Sequence, residues 1–189
     1  MKKYRSVAFL GGAEFKPEDQ TYIDAYMTAK YLAQLGLTIY NGGGPGVMRA
    51  STEGAKSVGG KVIGVTYYPD VPRSNFEGRD PKNLFDEEIV TSDYFERTKQ
   101  LLINGDIHVI FRGGTGTISE FGMAWASSRI RCGQERPIIL FGDFWKILIE
   151  NFRRYMYMRP GESRLYKIVE SVDEAVDEVK HLIKSDGKY

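Results

Sequence analysis

The sequence predicts a doubly wound α/β domain, a parallel sheet covered by helices on both faces in three layers. Two observations carry this. Short runs rich in β-branched and aromatic residues alternate with longer amphipathic stretches, the pattern of successive strand and helix units. Most of the strand runs are apolar, as expected of strands with helices on both sides. The 189 residues suit a single domain, residues 1–189, and suffice for a sizeable core.

Strands are predicted at residues 6–10, 37–40, 61–65, 88–90, 106–111 and 137–141. The first run follows Met1-Lys2-Lys3 but meets Gly11-Gly12 and Glu14 almost at once, so it reads as a strand and not as a secretion leader. Helices are predicted near 19–35, 46–58, 94–104, 117–129, 144–155 and 172–184. The last has Ser171 as its N-cap and Asp173 and Glu174 to meet its dipole. Residues 67–85, with three prolines and several charges, show no period and are expected to form a surface loop bordering a ligand.

Composition excludes several function classes. The 26 basic and 25 acidic residues leave a formal charge of +1, so no global field exists to hold nucleic acid or a membrane. Any anion site must be local. A single cysteine, Cys132, has no partner for an internal disulfide, and with two histidines it is poor material for zinc. A reducing, cytoplasmic setting is expected, with no membrane-spanning run of roughly 18 apolar residues.

Three glycine-rich turns follow predicted strands: Gly11-Gly12-Ala13, Asn41-Gly42-Gly43-Gly44-Pro45-Gly46, and Arg112-Gly113-Gly114-Thr115-Gly116-Thr117. The third stands between a strand and a helix. There, backbone amides and the positive helix end suit a phosphate, and threonine hydroxyls add donors. In a parallel sheet all three turns fall at one edge, where ligands gather. None matches the dinucleotide or P-loop fingerprints, which disfavours nicotinamide chemistry and ATP hydrolysis. Glu120, three residues after Thr117 and assigned to the first helical turn, is a candidate to stabilise positive charge on a ribose or to orient water. Arg97, on the helix after Asp93, is a candidate to bind phosphate or to neutralise a leaving base.

These residues resemble the LONELY GUY (LOG) family of phosphoribohydrolases, often labelled lysine decarboxylase-like. The family pattern P-G-G-x-G-T-x-x-E is similar to Arg112 through Glu120, G-G-G-P-G-[IV]-M to Gly42 through Met48, and Y-F-x-R-K to Tyr94 through Thr98. A later pattern is similar to Arg136-Pro137 through Phe144-Trp145. The chain departs from these patterns at Arg112, in place of proline, and at Thr98, in place of lysine. The resemblance implies a Rossmann-like domain, a homodimer, and hydrolysis of nucleoside 5′-monophosphates, cytokinin-type or related purine nucleotides, without metal or organic cofactor. It maps catalytic roles onto Arg97 and Glu120. Phosphate and nucleotide binding map onto Gly113, Gly114, Thr115, Gly116, Thr117, Gly42, Gly43 and Gly44, with Gly12 at the first turn and Arg112 beside the anion added from the sequence. The alternative is a non-reacting carrier or sensor of a nucleotide or the molybdenum cofactor. No nucleic-acid partner is expected.

Four further features have structural expectations. The basic and aromatic stretch 152–159 is expected to be a helix end with solvated arginines and packed aromatics. His108 is expected inside and His181 on the surface. Trp125 and Trp145 are expected in the core or at a dimer contact, and Phe121, Met123 and Trp125 supply apolar surface for that dimer. Cys132, beside Arg129 and Arg131, is not expected to be a nucleophile.

Overall fold

The computed structural model describes residues 4–70, 78–130 and 136–185. Seven strands, β1 (Ser6–Leu10), β2 (Thr38–Asn41), β3 (Val62–Tyr67), β4 (Glu87–Thr91), β5 (Ile107–Ile110), β6 (Ile138–Phe141) and β7 (Tyr166–Val169), form one sheet. All pairings are parallel and the order is β4-β3-β2-β1-β5-β6-β7. The helices are α1 (Gln20–Gln34), α2 (Val47–Lys56), α3 (Tyr94–Asn104), α4 (Thr115–Ile130), α5 (Phe144–Tyr155) and α6 (Val172–Lys184). This is the Rossmann-like doubly wound arrangement with one extra strand, β4, at an edge.

Period-2 alternation splits every strand except the exposed β4 between two cores. Val7 and Phe9 of β1 join Ile39, Ile107, Val109 and Ile139 in a core with residues of α1, α2 and α6. Leu10, Ile110, Ile138 and Leu140 face the other way, onto Leu101, Phe121, Trp125 and Trp145 of α3, α4 and α5. Each fully buried side chain of this size contributes roughly 1.5–3 kcal/mol. Phe111 stacks between Phe9 and Phe141, at centroid separations of 5.9 and 4.6 Å, and so ties three strands together.

Several boundaries differ from those read in the sequence. α4 begins at Thr115, not residue 117, so Glu120 sits in its second turn rather than its first. β7 was not foreseen; it pairs with β6 from Ile138 to Phe141. Ser171 caps α6 as expected, accepting from the Glu174 amide, and Asp93 caps α3 through the Glu96 amide. Phe121 and Trp125 stack on each other at 5.1 Å inside the second core, so they are core residues and not dimer surface; of the three named, Met123 alone is exposed. Tyr155 and Tyr157 are not packed but 74% and 89% exposed. Cys132 and Arg131 lie outside the described residues. Among those described, no helix is long and apolar enough to cross a membrane.

Candidate functional site

The switch in strand order lies between β1 and β5, and the cleft opens along the carboxyl ends of β5, β1, β2 and β3. Gly12 binds the three glycine turns together. Its amide donates to the Arg112 carbonyl at 2.9 Å, and its carbonyl accepts from the Val47 amide at 3.0 Å. A Cβ on Gly113 would lie 2.1 Å from Thr117 Oγ1 and 2.7 Å from the Gly12 nitrogen, so only glycine lets the first and third turns touch.

The cavity measures about 410 Å³, within the usual range for a small-molecule site. Of the residues expected to bind, Gly12, Gly42, Gly114, Thr115, Gly116 and Thr117 line it, as do Arg97 and Glu120. Gly43, Gly44 and Gly113 do not; they shape the turns behind it. Gly43, at a φ of +72°, accepts the Asp80 amide through its carbonyl. Arg112 is not brought to the cleft. Its guanidinium lies over the Phe144 ring, 5.8 Å from the centroid, in a separate hollow with Asp24 and Glu170. The residue after a strand end alternates in direction, and here it points across the sheet edge toward β6 and not toward the anion turn.

The amides of Thr115, Gly116 and Thr117 open α4 and have no carbonyl one turn back; the first bond across the turn runs from the Ile118 amide to the Gly114 carbonyl, 3.1 Å. Among the described residues no side chain caps them, and they line the cleft. Unsatisfied donors with a positive helix end are chemically suited to seat an anion.

Arg97 reaches the same cavity from α3. Its Nε donates to the Val65 carbonyl at 3.0 Å and its Nη2 to the Gly42 carbonyl at 2.9 Å, which fixes the guanidinium at the ends of β3 and β2. The absence of a side chain at residue 42 is what admits it: a Cβ there would fall 1.7 Å from Nη2. Glu120 is only 7% exposed, and among the described residues its carboxyl has no hydrogen-bond donor. Burial pushes it up to about 7, against the lowering influence of the Arg97 charge. A carboxyl poised near neutrality, in a cavity, can exchange a proton with a ligand.

Thr98, where the resemblance has lysine, is fully buried against the core and does not line the cavity. His108 is buried with Nε2 3.1 Å from the Leu102 carbonyl and takes no part in the cleft. Sequence reasoning did not single out Glu14, Met48, Thr66, Tyr67, Tyr94 or Arg79, which also line the cavity. The loop bearing Gly78 and Arg79 was expected near a ligand; nothing in its aperiodic sequence marked which residue would face one. Among the described residues no cluster of His, Cys, Asp and Glu is arranged to hold a metal ion.

An uncharacterized protein of Archaeoglobus fulgidus is 31% identical over 141 residues, 74% of this chain and 86% of its own. The molybdenum cofactor binding protein of the phototrophic bacterium Rippkaea orientalis is similar in structure, with a TM-score of 0.71 at 23% identity over 95% of this chain and 98% of its own. The Moco carrier protein of Chlamydomonas reinhardtii also has a TM-score of 0.71, at 21% identity over 96% and 99% of the two chains. At such identities the likeness is one of fold. Residues 4–159, which include every residue lining the cleft, match the SLOG cluster4 family, and the chain belongs to that family.

Proposed function

We propose that the chain hydrolyses the N-glycosidic bond of a nucleoside 5′-monophosphate, giving free base and ribose 5-phosphate. One observation carries this: the buried Glu120 carboxyl, raised to about 7, shares a cavity with Arg97 one helical turn beyond an open anion seat. The amides of Thr115 to Thr117 hold the 5′-phosphate. This places the ribose beside Glu120. Water adds to C1′ as the bond from C1′ to the base nitrogen breaks, and the bonding pair leaves with the base. The ionised Glu120 takes the water's proton and stabilises the positive charge that develops on the sugar; the proton then passes to the departing nitrogen. Arg97, pinned by two carbonyls, offsets negative charge on the leaving base.

A carrier role, in which the same cavity holds a phosphorylated cofactor without reaction, is supported by the near-complete mutual coverage with two proteins named for binding the molybdenum cofactor. Incubating the purified protein with a panel of nucleoside monophosphates and following free base by chromatography separates the two. Release of base is expected. Nucleotide binding with no release would overturn hydrolysis and leave the carrier.

A further inference from the structure

The cleft has a second fixed cation, at the end away from the anion seat. Arg79 lines the cavity, and it is held on two sides. Its Nε lies 3.6 Å from Glu88 Oε1 on β4, and its guanidinium rests over the Phe85 ring, 4.8 Å from the centroid. Glu88 is itself anchored, its Oε1 accepting from Thr66 Oγ1 and the Tyr68 hydroxyl, both at 2.7 Å. The backbone that carries Arg79 is anchored too. The Asp80 amide donates to the Gly43 carbonyl at 2.9 Å, Asn83 Nδ2 to the Gly44 carbonyl at 2.8 Å, and Arg49 Nη1 pairs with Asp80 at 3.0 Å. With Nε turned to Glu88, the two Nη groups have no protein partner among the described residues. A planar, pre-ordered pair of donors fits a planar pair of acceptors.

The order of groups along the sheet edge says what stands opposite. The anion seat follows β5, Arg97 is bonded at the ends of β2 and β3, and Arg79 is held by β4. From β5 to β3 there are three inter-strand steps, roughly 14 Å in all before side chains reach inward. A nucleotide with its phosphate on α4 and its ribose at Glu120 therefore directs its base toward Arg79. Among purines, two adjacent acceptors on one edge are the carbonyl O6 and N7 of a 6-oxopurine, the edge that arginine reads bidentately; a 6-aminopurine replaces one acceptor with a donor. We propose that Arg79 is a specificity-determining residue that selects 6-oxopurine nucleoside monophosphates over 6-aminopurine ones. This rests on the cleft being a nucleotide site.

The test is calorimetric titration of GMP, IMP, AMP and ribose 5-phosphate against the wild-type protein, Arg79→Gln and Arg79→Lys. GMP and IMP are expected to bind the wild type roughly tenfold or more tighter than AMP. Arg79→Gln should remove or reverse the preference, since a glutamine amide pairs with N6 and N7 of a 6-aminopurine, and Arg79→Lys should keep only part of it, while ribose 5-phosphate binds as before, which also shows that the variants fold. GDP and ADP are titrated beside them. If they outbind their monophosphates and Arg79→Lys keeps that gain, Arg79 serves a second phosphate and the base-reading role is overturned. Equal binding of GMP and AMP by the wild type overturns it as well and leaves the proposed hydrolysis standing. If no nucleoside monophosphate binds, the hydrolytic proposal and this one fall together.

Discussion

Replacing Glu120 with glutamine separates what the fold favours from what turnover needs. The carboxyl is raised from its ordinary 4.5 to about 7 because burial disfavours its charge. The folded state therefore holds a proton that the unfolded chain releases. Stability from this group is full below about pH 4.5 and is lost as pH rises toward 7, a difference of about 3 kcal/mol. Glutamine mimics the neutral acid at every pH. Glu120→Gln should match the wild type near pH 4.5 and exceed its melting temperature at pH 8, by roughly 6–12 °C for a chain of this length. The same change should slow base release on the order of 10²-fold or more while nucleotide binding stays within several-fold. Wild-type turnover should climb with pH through about 7, where half the carboxyls are ionised, and level about one pH unit above. The assays are thermal denaturation monitored by circular dichroism at both pH values, and base release measured across that range. A melting difference that is the same at pH 4.5 and pH 8, or a variant less stable than wild type at pH 8, would refute the burial of an ionisable group at this position. Unchanged turnover would refute its catalytic role.

Gly42→Ala places a methyl 1.7 Å from Arg97 Nη2, so the guanidinium must leave its seat; base release should fall roughly tenfold or more with circular dichroism and ribose 5-phosphate binding unchanged, and full activity would show that Arg97 is not needed there. His108 is pulled down to about 4 by burial, so the unfolded chain takes up a proton below about 6.5 that the fold refuses, and stability is lost as pH falls from there to 4. Urea denaturation at pH 7 and pH 4.5 should show a smaller acid loss for His108→Gln than for the wild type; equal losses contradict this. A homodimer is expected, with exposed Ile118 and Met123 on α4 as its apolar surface, and light scattering should give twice 21.4 kDa; a particle of 21.4 kDa excludes it.

The strands and helices that position the cleft were legible because their signals are local. Val7 to Leu10 is apolar and ends in glycine, and Ser171 precedes two acids. The glycine turns pointed to one sheet edge because parallel connectivity leaves no other place for them. What depended on direction in space was not legible. Thr115 and Gly116 read as loop because glycine is a poor helix former, yet they open α4. β7 has only Tyr166-Lys167-Ile168-Val169, too short to stand out from its surroundings, and its pairing with β6 is a long-range contact. Phe121 and Trp125 looked like surplus on one helix, since no sequence pattern announces that Trp145 of α5 will pack 5.0 Å from Phe121. Arg112 stands next to the anion turn in sequence and away from it in space.

The connection from β3 to β4 joins two parallel neighbours without a helix among its described residues, and β4 is largely exposed at the sheet edge. Residues 78–91 thus form a cassette that carries Arg79, Phe85 and Glu88, while the anion seat and Glu120 belong to the opposite half of the sheet. The two halves meet through the sheet ladder, beginning with β4 on β3, through the Asp80 amide on the Gly43 carbonyl, and through the Asn83 side chain on the Gly44 carbonyl. Substitutions within residues 78–91 can therefore reshape one end of the cavity while Glu120 and the opening amides of α4 stay where they are.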